Sequence, residues 1–461
     1  MRLVCCTLTV LFLASPVGAQ SLAWPDSLAG GTAPPAEVTA LHAVAAGVSA
    51  RRIEADVRAL AGFGTRHTMS DTVSATRGIG AARRWFRAQL DQISRDCGGC
   101  LEVVEQRAVV SGERRIPTPT VVVNVYAIQR GTVDPNRYVV MSGDIDSRVS
   151  DVMNATSDSP GANDNASGLA GVLEVARVLS KGRYAGSLVY AGLSGEEQGL
   201  YGGAALAAYA REQGWRVEAV LNNDMIGNSC GITGICDNTT ARVFSEGTRA
   251  PETPAEARQR RFTGGELDSP ARNLGRYVDR MADAYVRNLD VRMIYRLDRF
   301  GRGGHHAPFS DAGFPAVRIM ETNEHYDRQH QDLRNEDGRH YGDTVEFVDW
   351  DYAATLTALN AVVMGGLAGA PGPPRNVRVE GAVQPSTTLR WTPPAGAAAS
   401  RVWWRLTTDA QWTHSVTVPA SATYYTLRNV VVDDFFFGVS SVAADGSESA
   451  VVFPGPAGAI D

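Results

Sequence analysis

Acidic side chains follow three apolar stretches in the middle of this sequence. One stretch leads into Asp144 and Asp146, the next into the adjacent pair Glu196 and Glu197, and a third into Asp224. Five of the eight histidines lie between residues 305 and 340. Carboxylates and imidazoles together are the ligands of hydrolytic metal sites. The pattern predicts such a site, although any one of these acids taken alone also fits a solvated loop residue or a helix cap.

Four short motifs occur in a fixed order around these acids, and the set is more specific than any single member. The motifs are Gly143-Asp144-Ile145-Asp146-Ser147, Gly161-Ala162-Asn163-Asp164-Asn165-Ala166-Ser167-Gly168, Gly195-Glu196-Glu197-Gln198-Gly199-Leu200 and Asn223-Asp224-Met225-Ile226-Gly227. Together they resemble the M28 family of co-catalytic zinc aminopeptidases, over roughly residues 135–335.

The resemblance implies a site with two divalent metal ions, with zinc as the leading choice for both. Asp164 would bridge the two ions, and Glu197 and His330 would complete the ligands of one of them. Asp224 and Asp144 would complete the ligands of the other.

Two further residues have implied roles in catalysis. Glu196 would act as the general base towards a water molecule activated by the metal ions. Asp146 would hold the ligand at position 144 in its orientation without contacting the metal ion itself.

The sequence departs from the family pattern at Asp144, where relatives have histidine. An additional carboxylate makes the site richer in oxygen, so Mn²⁺ or Co²⁺ becomes an alternative to zinc at that position. His305 is one candidate to replace the missing imidazole. His325 is an alternative to His330 as ligand, and Tyr326 is a candidate for stabilising the oxyanion.

The elements that would position these residues alternate between strand and helix patterns from about residue 48 to residue 367. The carboxyl ends of parallel strands form the ligand crevice of open α/β sheets, so the acidic clusters should converge there. The predicted fold is a mixed, mostly parallel β-sheet flanked by helices, as in zinc exopeptidases. The helical patterns are Leu169–Leu179, Ala204–Gln213, Leu274–Asn288 and Asp351–Val363.

The last part of the chain has a different pattern. A linker is predicted at residues 368–372, after a metallopeptidase domain at residues 20–367. Residues 373–461 contain six short β-rich stretches separated by turn residues, which indicates an all-β immunoglobulin-like sandwich. The segment resembles a fibronectin type III domain in having Trp391 in its second stretch. It departs from that family at Phe435, where the family usually has tyrosine. Nothing in these residues identifies a partner.

The N-terminus and the charge balance bear on location and partners. Residues 1–19 have a basic start, an apolar core and small residues before Gln20, which predicts a cleaved signal peptide and a secreted or periplasmic protein. The apolar core is too short to span a bilayer, so no transmembrane anchor is expected. With 44 basic and 50 acidic side chains, the net charge is −6, and dispersed arginines do not favour nucleic-acid binding.

Two local features complete the prediction. The pairs Cys97/Cys100 and Cys230/Cys236 are expected to form disulfides in an oxidising compartment. The segment between Cys236 and Pro270 has little periodicity and is expected to wrap the rim of the active site and to select substrates.

The sequence thus predicts a secreted metal-dependent exopeptidase that removes N-terminal residues from peptide or protein substrates with a free N-terminus. One alternative is a glutaminyl-cyclase-like acyltransferase, which shares the fold and can use a single zinc ion. A second alternative is a non-catalytic binding protein that uses the fibronectin-like tail. The presence of both Glu196 and Glu197 argues against that second alternative, because an inactive site needs no additional base.

Overall fold

A computed structural model describes residues 37–455, so the predicted signal peptide lies outside the described residues. The helices before the C-terminal part are α1 (Thr39–Ala46), α2 (Ala50–Ala61), α3 (Gly78–Asp96), α4 (Gly168–Leu179), α5 (Glu196–Gly199), α6 (Tyr201–Glu212), α7 (Pro254–Thr263), α8 (Pro270–Tyr285), α9 (His306–Asp311) and α10 (Trp350–Gly369). The strands of the main sheet are β1 (Leu101–Val110), β2 (Thr120–Gln129), β3 (Asp134–Asp144), β4 (Gly186–Leu193), β5 (Arg216–Asn223), β6 (Thr240–Ser245), β7 (Asp290–Ile294) and β8 (Ala316–Glu321).

The main sheet has the strand order β1-β2-β4-β3-β5-β8-β6-β7. The four central strands β4, β3, β5 and β8 run parallel to one another. The pairings of β1 with β2, of β2 with β4 and of β6 with β8 are antiparallel. This is the predicted mixed sheet. All eight residues of β4 are buried, as expected of a parallel strand that is covered on both faces.

Helices cover both faces of the sheet, with an apolar core on each side. The larger core includes the buried faces of α4, α8 and α10, and the smaller core includes Leu206 of α6 and Phe309 of α9. Local signals begin several of the helices. The Ser49 side chain accepts a hydrogen bond from the Arg52 backbone N–H at the start of α2. The Ser269 side chain accepts one from the Arg272 backbone N–H at the start of α8. The four predicted helical patterns are confirmed, with ends that move by a few residues.

Helix α10 overlaps the predicted linker at residues 368–372. The helix continues to Gly369, so the first two residues of that segment are helical. Its small residues allow close packing, since a Cβ atom on Gly366 would lie 2.6 Å from the Tyr277 hydroxyl. Among the described residues, α10 is the one helix long and apolar enough to span a membrane, and 83% of its apolar window is buried in the fold. The domain boundaries remain a prediction.

A separate two-stranded sheet follows the main sheet along the chain. It consists of β9 (Arg334–Glu336) and β10 (Arg339–Tyr341).

The C-terminal part contains six further strands. They are β11 (Arg375–Glu380), β12 (Thr387–Thr392), β13 (Ala399–Leu406), β14 (His414–Pro419), β15 (Tyr424–Leu427) and β16 (Phe435–Val442). They form two three-stranded antiparallel sheets, with the orders β11-β12-β15 and β14-β13-β16. Their inward side chains, including Trp391, Val402 and Phe437, share one apolar core. All six predicted strands are present, while the assignment to the fibronectin type III fold remains a prediction.

Contrary to the prediction, no residue of the segment between Cys236 and Pro270 lines the cleft that contains Glu196 and Glu197. The segment supplies strand β6, helix α7 and a contact with the C-terminal sheets. Buried Asp268 accepts hydrogen bonds from Arg276 at 2.9 Å and from Arg405 of β13 at 2.7 Å. The carboxylate lies between two guanidinium groups, which lowers the cost of burying all three charges. The sequence missed this role because the partner at position 405 is distant along the chain.

Both predicted disulfides are confirmed. Cys97 and Cys100 are bonded directly after α3, and Cys230 and Cys236 close a loop after β5.

Candidate metal centre

The predicted site residues meet at the carboxyl edge of the central strands. Strand β3 ends at Asp144, β4 ends three residues before Glu196, and β5 ends immediately before Asp224. Because these strands are parallel neighbours, their ends lie at one edge of the sheet. The expected convergence is therefore present in the fold.

Three side chains form a compact group of potential metal ligands. The Nε2 atom of His330 lies 2.8 Å from Asp164 Oδ2 and 3.1 Å from Glu197 Oε1. One ligand atom from each of the three residues falls within 4.8 Å of the others. We call Asp164, Glu197 and His330 the ligand triad. One imidazole nitrogen and two carboxylates are suitable donors for zinc, and three protein ligands leave a fourth position for water or substrate.

The charges within the ligand triad stabilise one another. Burial would lower the pKa of His330, but Glu197 and Asp164 outweigh it and raise that pKa to about 9. Burial would raise the pKa of Asp164, but His330 lowers it below its usual range. These three residues would hold a metal ion, and binding at Nε2 would displace the proton from that nitrogen.

Arg148 holds two members of the ligand triad from one side. Its Nε donates to Glu197 Oε2 at 2.8 Å, and its Nη2 lies 2.6 Å from His330 Nδ1. Arg148 lies directly after the first motif, and its side chain is 16% exposed. The hydrogen bond to Glu197 fixes the orientation of that carboxylate, and contacts of this kind tune the affinity of a ligand for a metal.

Asp343 and Gln329 support Asp164. The buried Asp343 carboxylate accepts hydrogen bonds from the backbone N–H groups of Asn163 and Asp164, at 2.9 Å and 2.6 Å. The Nε2 of Gln329 donates to Asp164 Oδ2 at 3.4 Å. These contacts fix the loop that presents the carboxylate to the cleft.

Asp146 holds the two adjacent glutamates. Its carboxylate accepts hydrogen bonds from the backbone N–H groups of Glu196 at 3.3 Å and Glu197 at 3.1 Å, and from the Thr68 hydroxyl at 2.9 Å. An acidic side chain at the first turn of a helix also interacts favourably with its exposed N–H groups. Among the described residues, Asp146 makes no hydrogen bond to Asp144, so its contacts position Glu196 and Glu197 instead.

Glu196 faces the cleft beside the ligand triad. Burial raises its pKa well above the usual range, and the nearby carboxylates of Asp224 and Glu197 add to the rise. A carboxylate with a raised pKa accepts a proton more readily, which is what a general base near neutral pH requires.

Both carboxylate oxygens of Asp144 have a hydrogen-bond partner within the protein. Its Oδ1 lies 2.6 Å from His305 Nδ1, and its Oδ2 accepts from the Asn165 amide at 2.6 Å. Burial raises the pKa of Asp144, and Asp146 adds to this. His305, one candidate to replace the missing imidazole ligand, is instead the hydrogen-bond partner of Asp144.

Asp224 forms an ion pair with a fully buried arginine. Arg318 Nη2 lies 2.8 Å from Asp224 Oδ2, and Nη1 lies 2.9 Å from Asp298 Oδ2. Burial alone would lower the pKa of Arg318, but Asp224 and Asp298 outweigh it and raise that pKa. The other oxygen of Asp224, Oδ1, is buried and has no hydrogen-bond partner among the described residues.

The ligand triad opens into a cleft with a volume of about 790 Å³. Arg115 and Arg302 line it together with Tyr201, and Tyr326 stands at its edge with 54% of its surface exposed. His325 faces a separate small cavity on the other side of Asp164. The structure thus brings His330, and not His325, to the other two ligands.

Comparison with known proteins places this arrangement in a family. The model of peptidase family M28 matches residues 124–349. A probable zinc metalloprotease of Leptosphaeria maculans is 43% identical over 433 residues, covering 92% of this chain and 98% of that protein. Another, from Pyricularia oryzae, is 43% identical over 425 residues, covering 90% of this chain and 84% of the other. The chain belongs to peptidase family M28.

Solved structures show the same fold. LapA from Legionella pneumophila aligns with a TM-score of 0.54 and 17% identity, over 73% of this chain and 79% of its own. LapB from the same organism aligns with a TM-score of 0.53 and 17% identity, over 72% and 75%. This M28 peptidase is a metallopeptidase, and its relatives imply zinc as the metal.

Sequence reasoning missed the arginines of this M28 peptidase. Arg318 lies within the apolar strand Ala316–Glu321, where a fully buried charge requires an acidic partner. That local contradiction was a signal for a buried ion pair, although it could not identify Asp224. Arg148 gave no comparable signal, because an arginine after a motif is usually exposed.

Proposed function

We propose that this M28 peptidase is a secreted or periplasmic aminopeptidase that hydrolyses the first peptide bond of substrates with a free N-terminus. The observation that supports it most is the placement of Glu196 beside the ligand triad in an open cleft. One of the Legionella structures with this fold is described as the LapA aminopeptidase. The proposed location is based on the predicted signal peptide.

The ligand triad would hold a zinc ion, and Mn²⁺ or Co²⁺ is an alternative to zinc at the position that includes Asp144. Zinc provides Lewis acidity, which lowers the pKa of a water molecule and polarises a carbonyl group. Glu196 would take a proton from the attacking water as its oxygen bonds to the carbonyl carbon. When the carbon–nitrogen bond breaks, Glu196 would return that proton to the leaving amine nitrogen.

Neighbouring residues would keep the base and the ligands in register. Asp146 fixes the backbone of Glu196 and Glu197, so both carboxylates start from one rigid turn. Arg115 donates to the Glu197 carbonyl at 2.6 Å from the other side. Such positioning matters because misplacement of a catalytic group by about 1 Å can cost a hundredfold in rate.

The test is a matched pair of peptides, one with a free N-terminus and one acetylated, incubated with the zinc-loaded protein and followed by mass spectrometry. We expect stepwise loss of single N-terminal residues from the free peptide alone. Cleavage of the acetylated peptide at internal bonds would instead show an endopeptidase. No hydrolysis of either peptide by zinc-loaded protein would contradict the proposal.

One observation favours the glutaminyl-cyclase-like alternative as a second candidate: the described residues present one group of three metal ligands. In that reaction the α-amine nitrogen of an N-terminal glutamine bonds to its own side-chain carbonyl carbon, and ammonia leaves. A peptide that begins with glutamine separates the two functions. Loss of the residue supports the aminopeptidase, and loss of ammonia with ring closure supports the cyclase.

A further inference from the structure

At the second metal position that the family pattern predicts, side chains of the protein contact three of the four carboxylate oxygens of the two aspartates. The fourth oxygen, Asp224 Oδ1, is buried and has no hydrogen-bond partner among the described residues. The predicted ligands of that position, Asp144 and Asp224, are 2% and 4% exposed. Each of them has a hydrogen-bonding or charged side chain against it. These partners decide whether a second cation can bind.

Arg318 provides a fixed positive charge beside Asp224. Its side chain is fully buried, and its Nη2 atom contacts both Asp224 Oδ2, at 2.8 Å, and the Asp224 carbonyl oxygen, at 2.9 Å. Nη1 donates to Gly303 O at 2.7 Å and pairs with Asp298 at 2.9 Å. A Cβ atom on Gly304 would lie 3.0 Å from Nη1, so the lack of a side chain there helps to accommodate the guanidinium.

Asp144 is tied in a similar way. His305 and Asn165 each take one of its two oxygens at 2.6 Å. The His305 ring is fully buried and packs against α6, where a Cβ atom on Gly203 would lie 2.7 Å from its Cδ2 atom. Turning Asp144 towards a metal ion would leave a buried imidazole or amide without its partner, which is costly.

We propose that this M28 peptidase binds one divalent ion, at Asp164, Glu197 and His330, and that the Arg318 guanidinium supplies the positive charge of the second ion. A divalent cation at Asp224 would lie close to a buried, permanently charged arginine and would be repelled by it. The proximity of potential ligand atoms supports a single site. Within residues 37–455, the side chains close enough together to share a metal ion are those of the ligand triad, and neither Asp144 nor Asp224 is among them.

This inference assumes metal binding at the ligand triad and does not depend on which peptide bond is cleaved. Asp144 and Asp224 become positioning residues that hold the strand ends through His305 and Arg318. Asp224 thus keeps its place in its motif with a side chain as its partner, and Asp144, which departs from the family pattern, is paired with His305.

The test counts metal ions in the full chain. The protein is saturated with zinc, desalted and measured by inductively coupled plasma mass spectrometry against its concentration. We expect about one zinc per chain, no zinc in His330→Ala, and still about one in Asp144→Asn and Asp224→Asn. Two zinc ions per wild-type chain, falling to one in either aspartate variant, would overturn the proposal.

Electron paramagnetic resonance of the Mn²⁺-saturated wild-type protein gives an independent readout. An isolated Mn²⁺ spectrum is expected, whereas a spin-coupled pair would overturn the single-ion site. The result is separable from the proposed function. One ion without aminopeptidase activity contradicts the function alone, and two ions with activity contradict this inference alone.

Discussion

Two groups of carboxylates at the same sheet edge have different surroundings. The ligand triad faces the cleft, and its carboxylates share one imidazole that a metal ion can use. Asp144 and Asp224 are each paired with a fully buried side chain, His305 or Arg318. The comparison shows that the group lying against an acid at a strand end decides its use: two carboxylates share the His330 imidazole at the cleft, whereas Asp224 shares its position with a buried guanidinium. Four predictions test this contrast, from the largest expected effect to the smallest.

Replacing His330 by alanine should have the largest effect. The variant loses the only nitrogen donor of the ligand triad, so zinc binding should be lost and kcat/KM should fall by a factor on the order of 10³ or more. Metal analysis and kinetics on the proposed substrates measure both. The matched control is His325→Ala, which should retain zinc, because His325 faces a separate cavity. If His325→Ala lost zinc and His330→Ala kept it, His325 would be the ligand instead of His330.

Glu196→Gln should separate chemistry from metal binding. The amide keeps the shape of the side chain but cannot accept the proton, so kcat should fall by about 10²–10⁴-fold. The zinc content should stay at the wild-type value, because Glu196 is outside the ligand triad. Unchanged turnover in this variant would refute its assignment as the base.

The two arginines should differ in what they support. Arg318→Met removes the buried cation that Asp224 and Asp298 share, although Asp298 keeps Arg299 at 3.1 Å, and should lower the free energy of unfolding by about 3–5 kcal/mol. Arg148→Met should change that free energy much less, because Arg148 is partly exposed, but should weaken zinc binding about 10–100-fold. Urea unfolding and zinc titration distinguish these effects. Equal destabilisation in both variants would remove the contrast.

His306 should give a smaller, pH-dependent effect behind Arg318. Burial lowers the pKa of His306 to about 4, although Asp298 opposes the shift. Between about pH 6.5 and 4 the unfolded chain therefore binds a proton that the folded chain excludes, so this contribution is complete above pH 6.5 and is lost as the pH falls. As the pH falls from 6.5 to 4, the free energy of unfolding of His306→Gln should therefore decrease by less than that of the wild type, and the difference should be on the order of 1–3 kcal/mol. A parallel pH profile would contradict the assignment.

Much of the fold could be predicted because its signals are local. The four helical patterns, the six C-terminal strands and both disulfides depend on residues that are close in the sequence, with cysteine separations of 3 and 6. The segment between Cys236 and Pro270 failed as a prediction because it has weak periodicity. Its place depends on Asp268 meeting Arg405, which is 137 residues away.

For the site, the sequence by itself determined which acids stand at the strand ends, because apolar strands and the motifs that follow them are contiguous. It also placed Glu196 beside Glu197, and His330 among the histidines. Only the tertiary structure decided how these groups are used. His305 reaches Asp144 across 161 residues and Arg318 reaches Asp224 across 94. The physical reason is that burial and pairing depend on side chains brought together by folding, and those contacts set which carboxylates are free to bind a metal ion.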